Sequence, residues 1–132
     1  MTRSASSSPV TRLKSKVVIN LATGLEDAER VTVAFLVANA ALDSGKRVAI
    51  WTTKEAVRLG LRGFALGTAC EGCPSIERLF QQFQDGGGEF MVCPICFNAR
   101  KLSEGDLIDG ARLVGATPLW EWLGEGATVF SY

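Results

Sequence analysis

Four cysteines carry the most distinctive chemistry in this chain. They form two CxxC pairs, Cys70-Glu-Gly-Cys73 and Cys93-Pro-Ile-Cys96, with nineteen residues between them. The chain of 132 residues has no histidine. That excludes Ser-His and Cys-His pairs, imidazole metal ligands and imidazole proton transfer. Chemistry must come from thiols, carboxylates, Lys or Arg, or a bound group. The two pairs have the spacing of a structural zinc site, in which Cys70, Cys73, Cys93 and Cys96 close a tetrahedron and tie down the loop between them.

A second reading makes Cys93 a reactive thiol. It directly follows a predicted strand, and Pro94 suits the first position of a helix. Unpaired backbone N–H groups and the helix dipole favour a thiolate there. Arg100 stands four residues after Cys96, on the same helical face, and Lys101 adds charge beside it. Cys96 is placed to resolve a persulfide or mixed disulfide formed on Cys93. A third reading is plain packing, since cysteine is a small apolar side chain. Two CxxC pairs in one short chain argue against it.

The elements that must position these thiols alternate between strand and helix. Lys16 to Leu21 is an apolar run that ends at Ala22-Thr23-Gly24, and it predicts a buried strand. Glu26, Asp27 and Glu29 then favour a helix N-terminus, and the helix runs to about Asp43, before Gly45. Its apolar residues go nearly all the way round, which predicts burial on most sides, by the sheet or by another subunit. Arg47 to Trp51 is a second strand, followed by a short helix from Lys54 to Leu59. Gly63 to Pro74 reads as a loop and Ile76 to Gln84 as a helix. The Gly86-Gly87-Gly88 run lies between that helix and the next strand, so it reads as a turn and not a phosphate loop. Glu89 to Val92 is the third strand, followed by a short helix through Arg100. Leu107 and Ile108 fall in a turn region, Pro118 to Leu123 is a short helix, and Ala127 to Phe130 is a last strand.

This pattern predicts a three-layer α/β/α sandwich with a mostly parallel sheet. Sites in such sheets form outside the carboxyl ends of the strands. The Ala22-Thr23-Gly24 turn, the Trp51-Thr52-Thr53 segment and the Cys93–Cys96 turn are all expected on that edge.

Fourteen basic residues balance fourteen acidic ones, with 47% hydrophobic and 21% charged residues. This is a globular composition, without the charge excess of a nucleic-acid binder. Four basic residues, Arg3, Arg12, Lys14 and Lys16, precede the first acidic residue, Glu26. Residues 1–15 read as a flexible, basic, Ser-rich tail, and residues 16–132 as a single domain. The tail lacks the apolar stretch of a secretory signal. The longest apolar run, Val31 to Leu42, is too short to span a bilayer. A cytoplasmic protein with no membrane partner is expected. Thiols there stay reduced, which favours metal or redox roles over structural disulfides.

Other candidates have simpler explanations. Trp120 and Trp122 are expected in packing or an interface. Asp106 and Asp109 have no metal signature and read as a solvated turn. Thr52, Thr53 and Lys54 fit an anion-binding helix start and ordinary capping equally well.

The segment VCPICFNARKL, followed by LIDGARLVGATPLWEWLGEGATVFSY, resembles the DsrE/DsrF-like family, in particular its YchN-like members. AVRLGLRG (Ala56 to Gly63) and VVINLATG are compatible with it, so the resemblance covers roughly Lys16 to Tyr132. It implies a small α/β sandwich and a homotrimer or homohexamer. It also implies a sulfurtransferase-like sulfur carrier that holds sulfur as a persulfide on Cys93, with Cys96 as the following cysteine and Arg100 as the family's arginine. Sulfur donor and acceptor proteins would be partners, and no cofactor is implied. The family usually has glycine where this chain has Lys101, which puts a strained turn in question. The Cys70 and Cys73 pair is not carried over from the family. It is either a metal clamp or an extra redox pair. The alternatives to a sulfur relay are a non-catalytic oligomer with a four-cysteine zinc site and a thiol-redox sensor.

Overall fold

The structure is a computed structural model and describes residues 15–132. The tail expected over residues 1–15 lies outside the described residues except for Ser15. Five strands form one all-parallel sheet: β1 (Lys16–Leu21), β2 (Arg47–Thr52), β3 (Glu89–Val92), β4 (Ala111–Leu113) and β5 (Thr128–Ser131), in the order β4-β3-β2-β1-β5. Four helices connect them: α1 (Ala28–Asp43), α2 (Ile76–Asp85), α3 (Pro94–Ala99) and α4 (Ala116–Leu123).

Crossover handedness explains the layers. From β1 to β2 to β3 the chain steps one way across the sheet, so right-handed crossovers place α1 and α2 on the same face. From β4 to β5 it returns the whole width, so α4 lies on the other face. Alternation along the strands supplies each layer with apolar side chains. Val17, Ile19, Leu21, Val48, Ile50, Phe90 and Val92 join the core beneath α1 and α2. Val18, Ala49 and Met91 join a smaller cluster with Val114 and Trp122 beneath α4. The expected sandwich is therefore present, with a sheet that is wholly parallel.

Phe35 of α1 is fully buried, with ring centroids 5.3 Å from Phe80 and 6.0 Å from Phe83. Phe80 in turn lies 4.5 Å from Phe90 of β3. The glycine run after α2 is a turn, as expected, and it also serves this core. A Cβ on Gly88 would overlap the Phe83 ring.

Helix α1, expected to be buried on most sides by the sheet or by another subunit, buries Val31, Ala34, Phe35 and Ala38 within the chain and leaves Val33 and Leu36 exposed. Strand β4 lies just after the turn region expected at Leu107 and Ile108, in a stretch to which the sequence assigns no element. It is only three residues long and its Arg112 is exposed, so it carries almost no apolar alternation.

The C-terminal end of α3 answers the question posed by Lys101. Leu102 N–H bonds to Phe97 O at 3.4 Å, and Lys101 N–H bonds to Asn98 O at 2.9 Å. That pattern is a Schellman cap, which requires a left-handed residue between them. Lys101 adopts φ 56° to supply it. A β-carbon in that region costs about 1 kcal/mol or somewhat more. Lys101→Gly should therefore raise the unfolding free energy by up to about 1 kcal/mol, after allowing for glycine's larger unfolded-state entropy. Urea unfolding of the two proteins would check this, and a loss of stability would show that Lys101 makes a compensating contact.

Candidate functional site

The carboxyl ends of β1, β2 and β3 lie side by side and are tied by backbone hydrogen bonds. Thr53 N–H donates to Leu21 O at 3.0 Å, and Cys93 N–H donates to Thr52 O at 2.9 Å. Cys93 is the residue after β3 and the N-cap of α3, with Pro94 at the first helical position. Its carbonyl accepts Phe97 N–H at 3.0 Å, which closes the first helical turn. Cys93 is nearly buried, at 9% exposure, and Cys96 is partly exposed. Neither is bonded to another sulfur. The local turn is thus built by a strand end, a proline that fixes φ, and a short helix.

Arg100 belongs to the same unit. Its Nη1 donates to Cys96 O at 3.2 Å, and its Nε donates to Glu55 Oε2 at 2.7 Å. Glu55 sits in the 3-10 turn Lys54–Gly60 that follows β2, and its other oxygen accepts Arg58 Nε at 2.9 Å. The hydrogen bond from Arg100, then that from Arg58, holds the Glu55 carboxyl below the usual glutamate range. Arg100 is therefore a tether between α3 and the β2 edge, with its charge shared by Glu55. The β1 edge closes on the same segment. A Cβ on Gly24 would come within 2.8 Å of Glu55 O, so only glycine permits that approach.

Glu55 and Arg58 were not among the residues singled out in the sequence. Their spacing of three on a helical turn marks them as an ion pair. Nothing in the sequence indicates that Glu55 also reaches Arg100, forty-five residues away.

The four cysteines are not brought together. Cys70 and Cys73 are bonded to each other in the loop before α2. Cys93 and Cys96 stand at the β3 edge. Among the described residues, no group of three or more Cys, Asp or Glu side chains gathers as a metal site.

The remaining candidates are placed as follows. Thr52 is fully buried and its hydroxyl donates to Met91 O at 2.9 Å. Thr53 starts the 3-10 turn without a side-chain cap bond. Trp122 is buried beneath the sheet, whereas Trp120 is exposed. Asp106 and Asp109 are both exposed, and the Asp109 carboxylate pairs with Arg62 at 3.8 Å.

An all-parallel α/β domain with a cysteine at the end of its third strand defines the structural class. The chain belongs to the DsrE/DsrF-like family, which it matches over residues 15–132. It is 32% identical over 104 residues to the uncharacterised protein MK0008 of Methanopyrus kandleri, covering 79% of this chain and 83% of that one. The crystal structure of the YchN protein from E. coli superposes with a TM-score of 0.74 at 20% identity, over 91% of this chain and 100% of YchN. MTH1491 of Methanobacterium thermoautotrophicum, a protein of unknown function, superposes with a TM-score of 0.69 at 18% identity, over 90% of this chain and all of MTH1491. These two likenesses establish the fold. No helix among the described residues is long and apolar enough to cross a membrane.

Proposed function

We propose that the chain is a sulfur-relay protein that carries sulfane sulfur as a persulfide on Cys93. The observation that supports this reading is the position of Cys93. It caps α3 at the carboxyl edge of the sheet, with a second free thiol, Cys96, one turn away. The Cys93 thiolate attacks the outer sulfur of a persulfide donor, and the donor leaves as its own thiolate. An acceptor thiolate then takes the outer sulfur and frees Cys93. If no acceptor arrives, Cys96 attacks the inner sulfur, forms a Cys93–Cys96 disulfide and releases hydrosulfide. Arg100 acts as a positioning residue, holding the α3 turn against Glu55.

The test is uptake of sulfur from a polysulfide donor, read by intact mass and peptide mapping. The expected result is one added sulfur on the Cys93 peptide, removed by a reducing thiol, which excludes two added oxygens. Cys93→Ser should abolish uptake with an unchanged thermal melt. Equal uptake by the variant would overturn the assignment.

The protein is also proposed to work as a homo-oligomer, a trimer or hexamer, in the cytoplasm. Support comes from apolar side chains left outside the core: Val33 and Leu36 on α1, Val129 and Phe130 on edge strand β5. Native mass spectrometry would read the subunit number on the same sample.

A further inference from the structure

The Cys70–Cys73 pair takes no part in the relay proposed above, and its setting does not suit a structural staple. The bonded cysteines are three apart in sequence, with Cα atoms separated by 5.2 Å. A cross-link constrains the unfolded chain more as its ring grows, and this ring is close to the smallest a chain can form. The turn does not need the bond to keep its shape. Cys73 N–H donates to Cys70 O at 3.0 Å, and Ile76 N–H closes the base of the loop on Thr68 O at 2.9 Å. Gly72 supplies the positive φ, 78°, that the turn requires. Both cysteines are partly exposed, in a segment outside any helix or strand.

The two sulfurs differ in surroundings. Cys70 Sγ packs 3.8 Å from Thr32 Oγ1 on α1, a residue that is itself buried. Cys73 Sγ lies 3.7 Å from Glu71 O in an exposed position. We infer that Cys70–Cys73 is a thiol–disulfide exchange site, a two-electron couple whose reaction partner is a protein dithiol of the thioredoxin type. The partner's thiolate attacks Cys73 Sγ, the S–S bond breaks, and Cys70 leaves as a thiolate that takes up a proton. The partner's second thiol then displaces Cys73 from the mixed disulfide. The partner ends oxidised, as a disulfide. Cys70 and Cys73 end reduced, having gained two electrons and two protons. The backbone hydrogen bonds hold the turn in both states, so exchange proceeds without unfolding.

The full chain is equilibrated with mixtures of reduced and oxidised dithiothreitol, approached from both directions. Thiols are trapped by alkylation, the peptide holding both cysteines is weighed, and metal is measured on the same sample. The bonded fraction should swing from mostly bonded to mostly reduced at the same ratio from either side, with unchanged circular dichroism. A thioredoxin whose resolving cysteine is replaced by serine should be captured on Cys73. Cys73→Ser should lose that capture, and Cys93→Ser should keep it. A bond that yields only in denaturant would mark a staple and overturn the inference. Thiols that stay reduced at every ratio, zinc bound to them, or capture on Cys93 would overturn it equally. Sulfur uptake on Cys93 is read separately, so the failure of either proposal leaves the other standing.

Discussion

Phe35→Ala should lower the unfolding free energy by about 3–5 kcal/mol, the cost of removing a buried aromatic ring and leaving most of its cavity behind. Phe35 has no exposed surface and sits between the Phe80 and Phe83 rings of α2. Through Phe80 the contact extends to Phe90 of β3, the strand that leads into Cys93. The loss would consume a large part of the about 5–15 kcal/mol that holds a typical domain together. Denaturant unfolding followed by circular dichroism measures it. A change below about 1 kcal/mol, the level of an ordinary substitution, would show that α2 collapses into the vacated space.

Glu89→Ala acts at the opposite end of the sheet from the thiols. Glu89 opens β3, and its carboxylate accepts Trp122 Nε1 at 2.9 Å, Arg47 Nε at 3.1 Å and Arg112 Nη2 at 3.0 Å. One side chain thereby fastens β2, β4 and the buried ring of α4 to the sheet. The Arg47 guanidinium and the Lys16 ammonium also lie over the Trp122 ring, at 5.0 and 5.4 Å. Alanine leaves the buried indole N–H without its acceptor, at a cost of about 1–3 kcal/mol. Burial works to raise the Glu89 pKa, but the hydrogen bonds from Trp122, Arg112 and Arg47 outweigh it and hold the group below its ordinary 4.5. The sign of the pH effect follows. A carboxyl depressed in the folded state contributes stability above its unfolded value and loses it as pH falls through the folded one. The gap between wild type and variant should be full near neutral pH and should close below about pH 4.5. A gap independent of pH would mean that Glu89 acts by packing alone.

Strands with strong apolar runs were legible in the sequence. VVINL, RVAIW and EFMV lie where expected, because a parallel sheet covered on both faces demands continuous apolar stretches. Helix α2 was equally plain, with Ile76, Leu79, Phe80 and Phe83 on one face. Strand β4 was not, since three residues with one charged member give no periodic signal. The position of Cys93 at a strand end and of Pro94 at the helix start followed from local order alone. The tie from Arg100 to Glu55 did not, because it depends on two strand ends becoming neighbours in the sheet. The CxxC spacings admitted a zinc site, a redox pair and a reactive thiol alike. Spacing fixes which sulfurs can meet within a pair, but tertiary placement decides whether two pairs meet each other.

The pairing of β5 with β1 joins residues 128–131 to residues 17–20. During synthesis, β1 through β3 emerge long before their last neighbour exists. Until residue 131 has left the ribosome, one flank of β1 presents unpaired N–H and C=O groups to any other extended chain. The two strands are more than a hundred residues apart in sequence, and such non-local pairing is of the kind that slows folding. The nascent protein thus passes through a window in which one flank of β1 is open to other extended chains, and a truncation that removes β5 would make that window permanent.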